Sequence, residues 1–295
     1  MNYQEFMNDV VSHISSSVQN GQKVSVQPVI KNNGTVLDGL IIYDPVLNIS
    51  PTIYLNPYYH RYLNGVSMDD IYEDILSTYY NNIPKEDFDI SIFKDFENAK
   101  KRITFKLVSK EKNEGLLQEI PYINFQDLVL IFQCTITDYM EDYATILIHN
   151  EHLSLWNITT EELCKIAIEN TPILLPYRFD SMDNILEELH FYKHSEFNYL
   201  NMYILTNKLK IHGATCIAYP HLLRSIANYL EDDLIILPSS IHEVLIIPKS
   251  LSNPDYSKND FNNMIRDINE TELSDEEILS DHVYYYNRDT GELSY

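Results

Sequence analysis

The sequence predicts an α+β fold: mixed, largely antiparallel sheets with amphipathic helices packed on them. Three observations carry this. Helical and strand-like patterns alternate without the strand–helix–strand rhythm of a doubly wound sheet. Apolar runs recur in pairs around short polar turns, as hairpins do. Several helical stretches open on Ser or Thr with an acid three residues on, the pattern that caps a helix start.

Tyr3, Phe6, Met7, Val10, Val11 and Ile14 recur at helical spacing, so residues 2–18 form an amphipathic helix that Gly21 ends. Lys23 to Ile30 alternates as a strand, Asn32-Asn33-Gly34 turns, and Thr35 to Tyr43 returns. Ser50 to Leu55 is a third strand, and Ser67 caps a helix reaching about Tyr80. Beyond Pro84, strands are expected at 102–108, 127–135 and 143–149. Thr159 opens a helix that Asn170-Thr171-Pro172 stops. A helix over 182–192, strands at 200–206 and 214–218, and a helix over 219–230 follow. Leu234 to Leu237 and Val244 to Ile247 form an apolar strand pair. A helix over 260–268, a capping box at 274–277 and a strand over 282–286 complete the chain. The length allows one large domain or two, and a boundary falls best near 150, giving regions 1–150 and 151–295.

With 44% hydrophobic and 22% charged residues the chain can bury a core and is not disordered. Its formal net charge of −23 repels nucleic acid and anionic membrane, which argues against direct binding to either and favours a basic protein partner. Only 7 glycines leave no glycine-rich phosphate loop, and no Walker, dinucleotide or kinase motif occurs, so no cofactor is expected. Cys134, Cys164 and Cys216 are odd in number and far apart, which argues against disulfides and structural zinc. No basic-then-apolar leader and no membrane-length apolar run is present, so the expected compartment is the cytoplasm.

Asp38-Gly39-Leu40, residues 49–56 and Tyr62-Leu63-Asn64-Gly65 form an N-terminal block. Ile120-Pro121-Tyr122 with Asp127-Leu128, and Trp156-Asn157-Ile158-Thr159 with Glu162-Leu163, form a middle one. Residues 237–245 (LPSSIHEVL) and 279–284 (LSDHVY) close the series. Together they resemble an uncharacterised family of unknown function common in clostridial gut bacteria. The resemblance implies a bacterial cytoplasmic protein of about this length and no particular reaction.

The same C-terminal stretches hold the candidate chemistry. Ser239, Ser240, His242 and Glu243 gather hydroxyl, imidazole and acid, the types a nucleophile, its base and the orienting group require. Asp281 and His282 supply a missing acid or base if the last strand pairs nearby. Against this, neighbours on a strand face opposite ways, and a G-x-S-x-G elbow is absent. A tight turn with locally bonded hydroxyls is the simpler expectation. Glu187, His190 and His194 share a helix face without a complete metal motif, and His149 to His152 reads as a loop. Lys100, Lys101, Arg102, Lys106 and Lys110 are expected on a solvated sheet face.

The leading expectation is a non-enzymatic interaction protein, with a mobile element or host-defence system as its setting. The alternatives are a hydrolase-like enzyme at the serine–histidine cluster and an acidic mimic of nucleic acid.

Overall fold

The computed structural model describes residues 1–19, 21–47, 50–83, 93, 95–136, 144–188 and 202–295, the last three before the 189–201 gap by backbone only. The chain divides into two compact units, Met1–Ile90 and Ser91–Tyr295. Residue 150, near which the sequence suggests a change of region, falls inside the second of these.

In the first unit, α1 (Tyr3–Ser17) starts on a capping box between Asn2 and Glu5. Phe6, Val10 and Ile14, spaced four residues apart, are fully buried. The hairpin forms as expected: β1 (Lys23–Ile30) pairs antiparallel with β2 (Val36–Tyr43), and β3 (Thr52–Tyr54) joins β2. Gly39 in β2 permits that pairing, because a Cβ there would meet Thr52 Cγ2 at 2.5 Å. Helix α2 (Leu55–Leu63) follows directly and is absent from the sequence expectation. Pro57 sits in its first turn, where no helical N–H is needed. Helix α3 (Met68–Asn81) takes Ser67 as its cap and buries Ile71, Ile75 and Tyr79 against the α1 residues and Leu40 and Ile42 of the sheet.

The second unit begins with a single turn, α4 (Phe96–Ala99). Strands β4 (Ile103–Ser109), β5 (Tyr122–Phe125), β6 (Leu128–Thr135) and β7 (Thr145–Leu147) form one antiparallel sheet, with β6 central. Helices α5 (Asn150–Trp156) and α6 (Thr160–Leu174) follow, then β8 (Tyr177–Ser181), α7 (Met182–Glu188), β9 (Tyr203–Asn207) and α8 (Leu222–Leu230). Strands β10 (Leu234–Leu237) and β11 (Val244–Pro248), helix α9 (Lys258–Thr271), and strands β12 (Tyr284–Tyr286) and β13 (Leu293–Ser294) end the chain. The later strands make a six-stranded antiparallel sheet in the order β13-β12-β10-β11-β9-β8. The main core joins inward residues of both sheets, among them Phe105, Leu130, Phe132, Leu234, Ile236, Ile246 and Tyr284. Phe261 and Ile265 of α9 cover the opposite face of the six-stranded sheet through Ile235, Leu237 and Ile247.

Five local expectations are corrected. Strand β4 is no solvated face: Thr104 and Val108 are buried, because Val108 packs into a second cluster with Leu117, Ile120, Val129 and Ile131. Helix α6 runs past Pro172, which sits in its last turn and removes only one helical bond. Residues 149–152 are no loop, since Asn150 starts α5 and His152 Nδ1 accepts the His149 N–H at 2.9 Å. Residues 213–218 form a 3-10 segment rather than a strand. They are buried on nearly every side, so their apolar run carries no period, and Asn207 turns the chain into them by bonding the Ile211 carbonyl at 2.7 Å. The 274–277 box has its bonds, Ser274 Oγ to Glu277 at 2.8 Å, yet opens no helix, because Ile278 leaves to bridge Ser240. His190 and His194, and the Glu187 side chain, lie outside the described residues, as does the helix expected beyond 188.

Candidate functional site

The connection from β10 to β11 and the approach to β12 run side by side. The Leu279 N–H donates to the Ser239 carbonyl at 2.8 Å, the Ser280 N–H to Pro238 at 3.1 Å and the Ile241 N–H to Glu277 at 2.9 Å. This lacing brings together the two stretches that hold the candidates, Ser239-Ser240-Ile241-His242-Glu243 and Ser280-Asp281-His282.

Each stretch contains a Ser-x-His step, and both fold alike. The Ser240 hydroxyl accepts the backbone N–H of His242 at 3.0 Å, and the Ser280 hydroxyl accepts that of His282 at 3.0 Å. A hydroxyl closing a turn in this way satisfies a backbone donor that would otherwise be orphaned. The serine–histidine link is therefore to the backbone of the histidine and not to its ring.

Each imidazole faces a carboxylate instead. His242 Nε2 lies 3.7 Å from Glu277 Oε1, and the ring stacks beside His212 with centroids 5.9 Å apart. Its Nδ1 is buried without a hydrogen-bond partner among the described residues. The carbonyl of His242 accepts the Thr206 hydroxyl at 2.7 Å, and Gly213 makes room there, since a Cβ would meet that hydroxyl at 2.0 Å. Hydrogen bonds from the Ser274 hydroxyl and, second, its backbone N–H hold the Glu277 carboxyl below its usual range.

The tighter arrangement centres on Asp127, in the turn between β5 and β6 where Gln126 takes a left-handed φ of 56°. Its Oδ2 receives the Ser280 hydroxyl at 2.7 Å and lies 3.0 Å from His282 Nδ1, while its Oδ1 accepts the Tyr284 hydroxyl. Ser280, His282 and Tyr284 are spaced by two, and all three side chains reach Asp127. Burial, and then the adjacent carboxylate, push the Tyr284 phenol far above its ordinary value. Asp127 Oδ2 thus engages the His282 ring through Nδ1. The His282 side chain is 40% exposed, and its ring lies beside that of Tyr295 with centroids 5.4 Å apart.

Of the remaining candidates, Asp281 accepts the Asn269 amide at 2.8 Å, and Ser239 contributes its carbonyl. Glu243 is half-buried at the entry to β11. Asp127, Ser280 and Tyr284 escape the sequence reading of the site. The alternation Ser-x-His-x-Tyr signals the last two, but nothing local marks the Asp that joins them. Burial pushes the Cys134 and Cys216 thiols up to about 11 and about 12, so neither is a thiolate nucleophile at neutral pH. Among the described residues no group of three or more His, Cys, Asp or Glu is placed to hold a metal, and no helix is long and apolar enough to cross a membrane.

No curated protein and no solved structure matches the chain. One family model does, over residues 3–288, which is nearly its whole length. The chain belongs to DUF5688, a family of unknown function.

Proposed function

We propose that this is a bacterial cytoplasmic protein that works by binding another protein, a basic one, and not by catalysis. The observation that carries this is how the two Ser-x-His steps are used. Both hydroxyls close backbone turns, and the Ser280 hydroxyl also donates to Asp127, so neither is paired with an imidazole that could activate it. The charge of −23 supports a basic partner, since opposite fields steer encounter and raise its rate. The test is affinity capture of the tagged full chain after crosslinking in cells, at low and high salt. A stoichiometric basic partner lost at high salt is the expected result, and no reproducible partner at either salt would sink the proposal. A nucleic-acid mimic would give a nucleic-acid-binding partner that duplex DNA displaces.

One contact favours a second reading, acid–base chemistry at His282. Asp127 meets that ring as a carboxylate meets a catalytic imidazole, with the 3.0 Å contact on Nδ1. Turnover of p-nitrophenyl acetate by the purified protein, lost in His282→Ala and in Asp127→Asn, would favour it. Rates equal in all three proteins would remove it.

A further inference from the structure

A groove runs along the outer face of α6. It encloses about 320 Å3 and is lined by Phe96, Ile158, Glu162, Lys165, Ile166 and Glu169. The floor is apolar: Phe96, Ile158 and Ile166 are each partly buried against the main core. The rim is charged, with Glu162, Lys165 and Glu169 all exposed. Beyond it stands Ile173, 74% exposed and two helical turns from Ile166. Glu162 and Glu169 are offset by the same two turns, about 10 Å along the axis. The helix therefore repeats an apolar position and an acidic one in register.

We propose that this groove is the docking site for a basic amphipathic helix of the partner protein. This rests on the interaction reading above and adds where and what it binds. A helix that repeats every seven residues lays apolar side chains over Ile166 and Ile173 and sets lysines or arginines against Glu162 and Glu169. The occupant follows from charge. The rim carries two carboxylates against one amine, on a chain with 44 acidic and 21 basic residues, so a second copy or an acidic helix meets repulsion. Glu162 already accepts the Thr159 N–H through Oε2 at 2.9 Å, which fixes its carboxylate at the groove's near end. Lys165 lies between the two acids and selects for an acceptor at the centre of the partner's polar edge.

The test uses the full chain and two fluorescein-labelled peptides of 18 lysines and leucines, one with the leucines in a helical stripe and one scrambled. Fluorescence anisotropy near physiological salt should show the striped peptide binding at least about tenfold tighter. Ile173→Ser and Glu169→Lys should each erase most of that preference. Both positions are exposed, and unchanged urea midpoints would confirm that the variants fold. Equal binding of the two peptides, or a preference that survives both substitutions, overturns the groove. So does concentration-dependent dimerisation abolished by Ile173→Ser, which would make the occupant a second copy. If the crosslinked partner is still captured by both variants, the groove fails while the interaction reading stands. If the wild type captures nothing, the interaction reading itself has failed.

Discussion

Asp127 is the residue on which the largest number of side-chain donors converge at the candidate site. Two of them, Ser280 and Tyr284, are buried, so removing the acceptor leaves their hydroxyls without a partner and without water. Asp127→Ala is expected to cost roughly 3 kcal/mol, the range for losing bonds to a charged group, read from urea denaturation. Asp281→Ala, which gives up one amide bond, should cost distinctly less. Tyr284 adds a pH dependence. Its folded-state pKa is raised above the ordinary 10.0, by burial first and by Asp127 second. Below that value both states keep the proton and the stabilisation is whole. Above it the unfolded chain releases a proton that the folded chain retains, so stability falls as pH rises. Tyr284→Phe should lower stability near neutrality by about 1 to 2 kcal/mol and make the alkaline decline shallower. An alkaline limb as steep as that of the wild type would refute the assignment.

Elements show why some of this architecture is legible in sequence and some is not. The first hairpin was fully legible: alternation set both strands, and Asn32-Asn33-Gly34 set the turn, with Asn33 at φ 60°. Strand β4 was found but its surroundings were not. It lies at the edge of its sheet, where unpaired N–H groups ordinarily face solvent. Here the Phe105 N–H donates to the Thr171 hydroxyl at 3.0 Å and the Leu107 N–H to the Thr215 hydroxyl at 3.1 Å. Two threonines from α6 and the 3-10 segment stand in for a neighbouring strand, 66 and 108 residues away. No periodicity in β4 announces partners so remote, and the basic residues flanking it suggested water instead. Thr171→Val keeps the shape and deletes the acceptor, leaving a buried N–H unpaired. A loss of about 1 to 3 kcal/mol in urea unfolding is expected, whereas Thr160→Val at the half-buried start of the same helix should change less.

For the molecule as a whole, charge sets the behaviour in solution. With 44 acids against 21 lysines and arginines, acidic side chains outnumber these bases by 23. Their mutual repulsion opposes the compact state and is screened as the Debye length shortens from about 30 Å in dilute buffer to about 8 Å at physiological salt. The urea midpoint should therefore rise over that interval, and a flat or falling midpoint would mean that local pairing, not repulsion, dominates. The fold class was open to sequence because it depends on the local periods of helices and strands. The candidate site was half open, since Ser280 and His282 stand together in the chain while Asp127 joins them only through the packing of two sheets. That separation bears on how the protein is made. The bonds from Ser280 and Tyr284 to Asp127 span 153 and 157 residues. At synthesis rates of about 5 to 20 residues per second the turn holding Asp127 waits roughly 8 to 30 s for its partners. Until β12 is made, β10 is the edge strand of its sheet, and Tyr284 and Tyr286 are missing from the main core. A nascent chain stalled before residue 280 thus carries an unpaired strand edge and an Asp127 without its two hydroxyl partners, which makes it a substrate for chaperones and proteases.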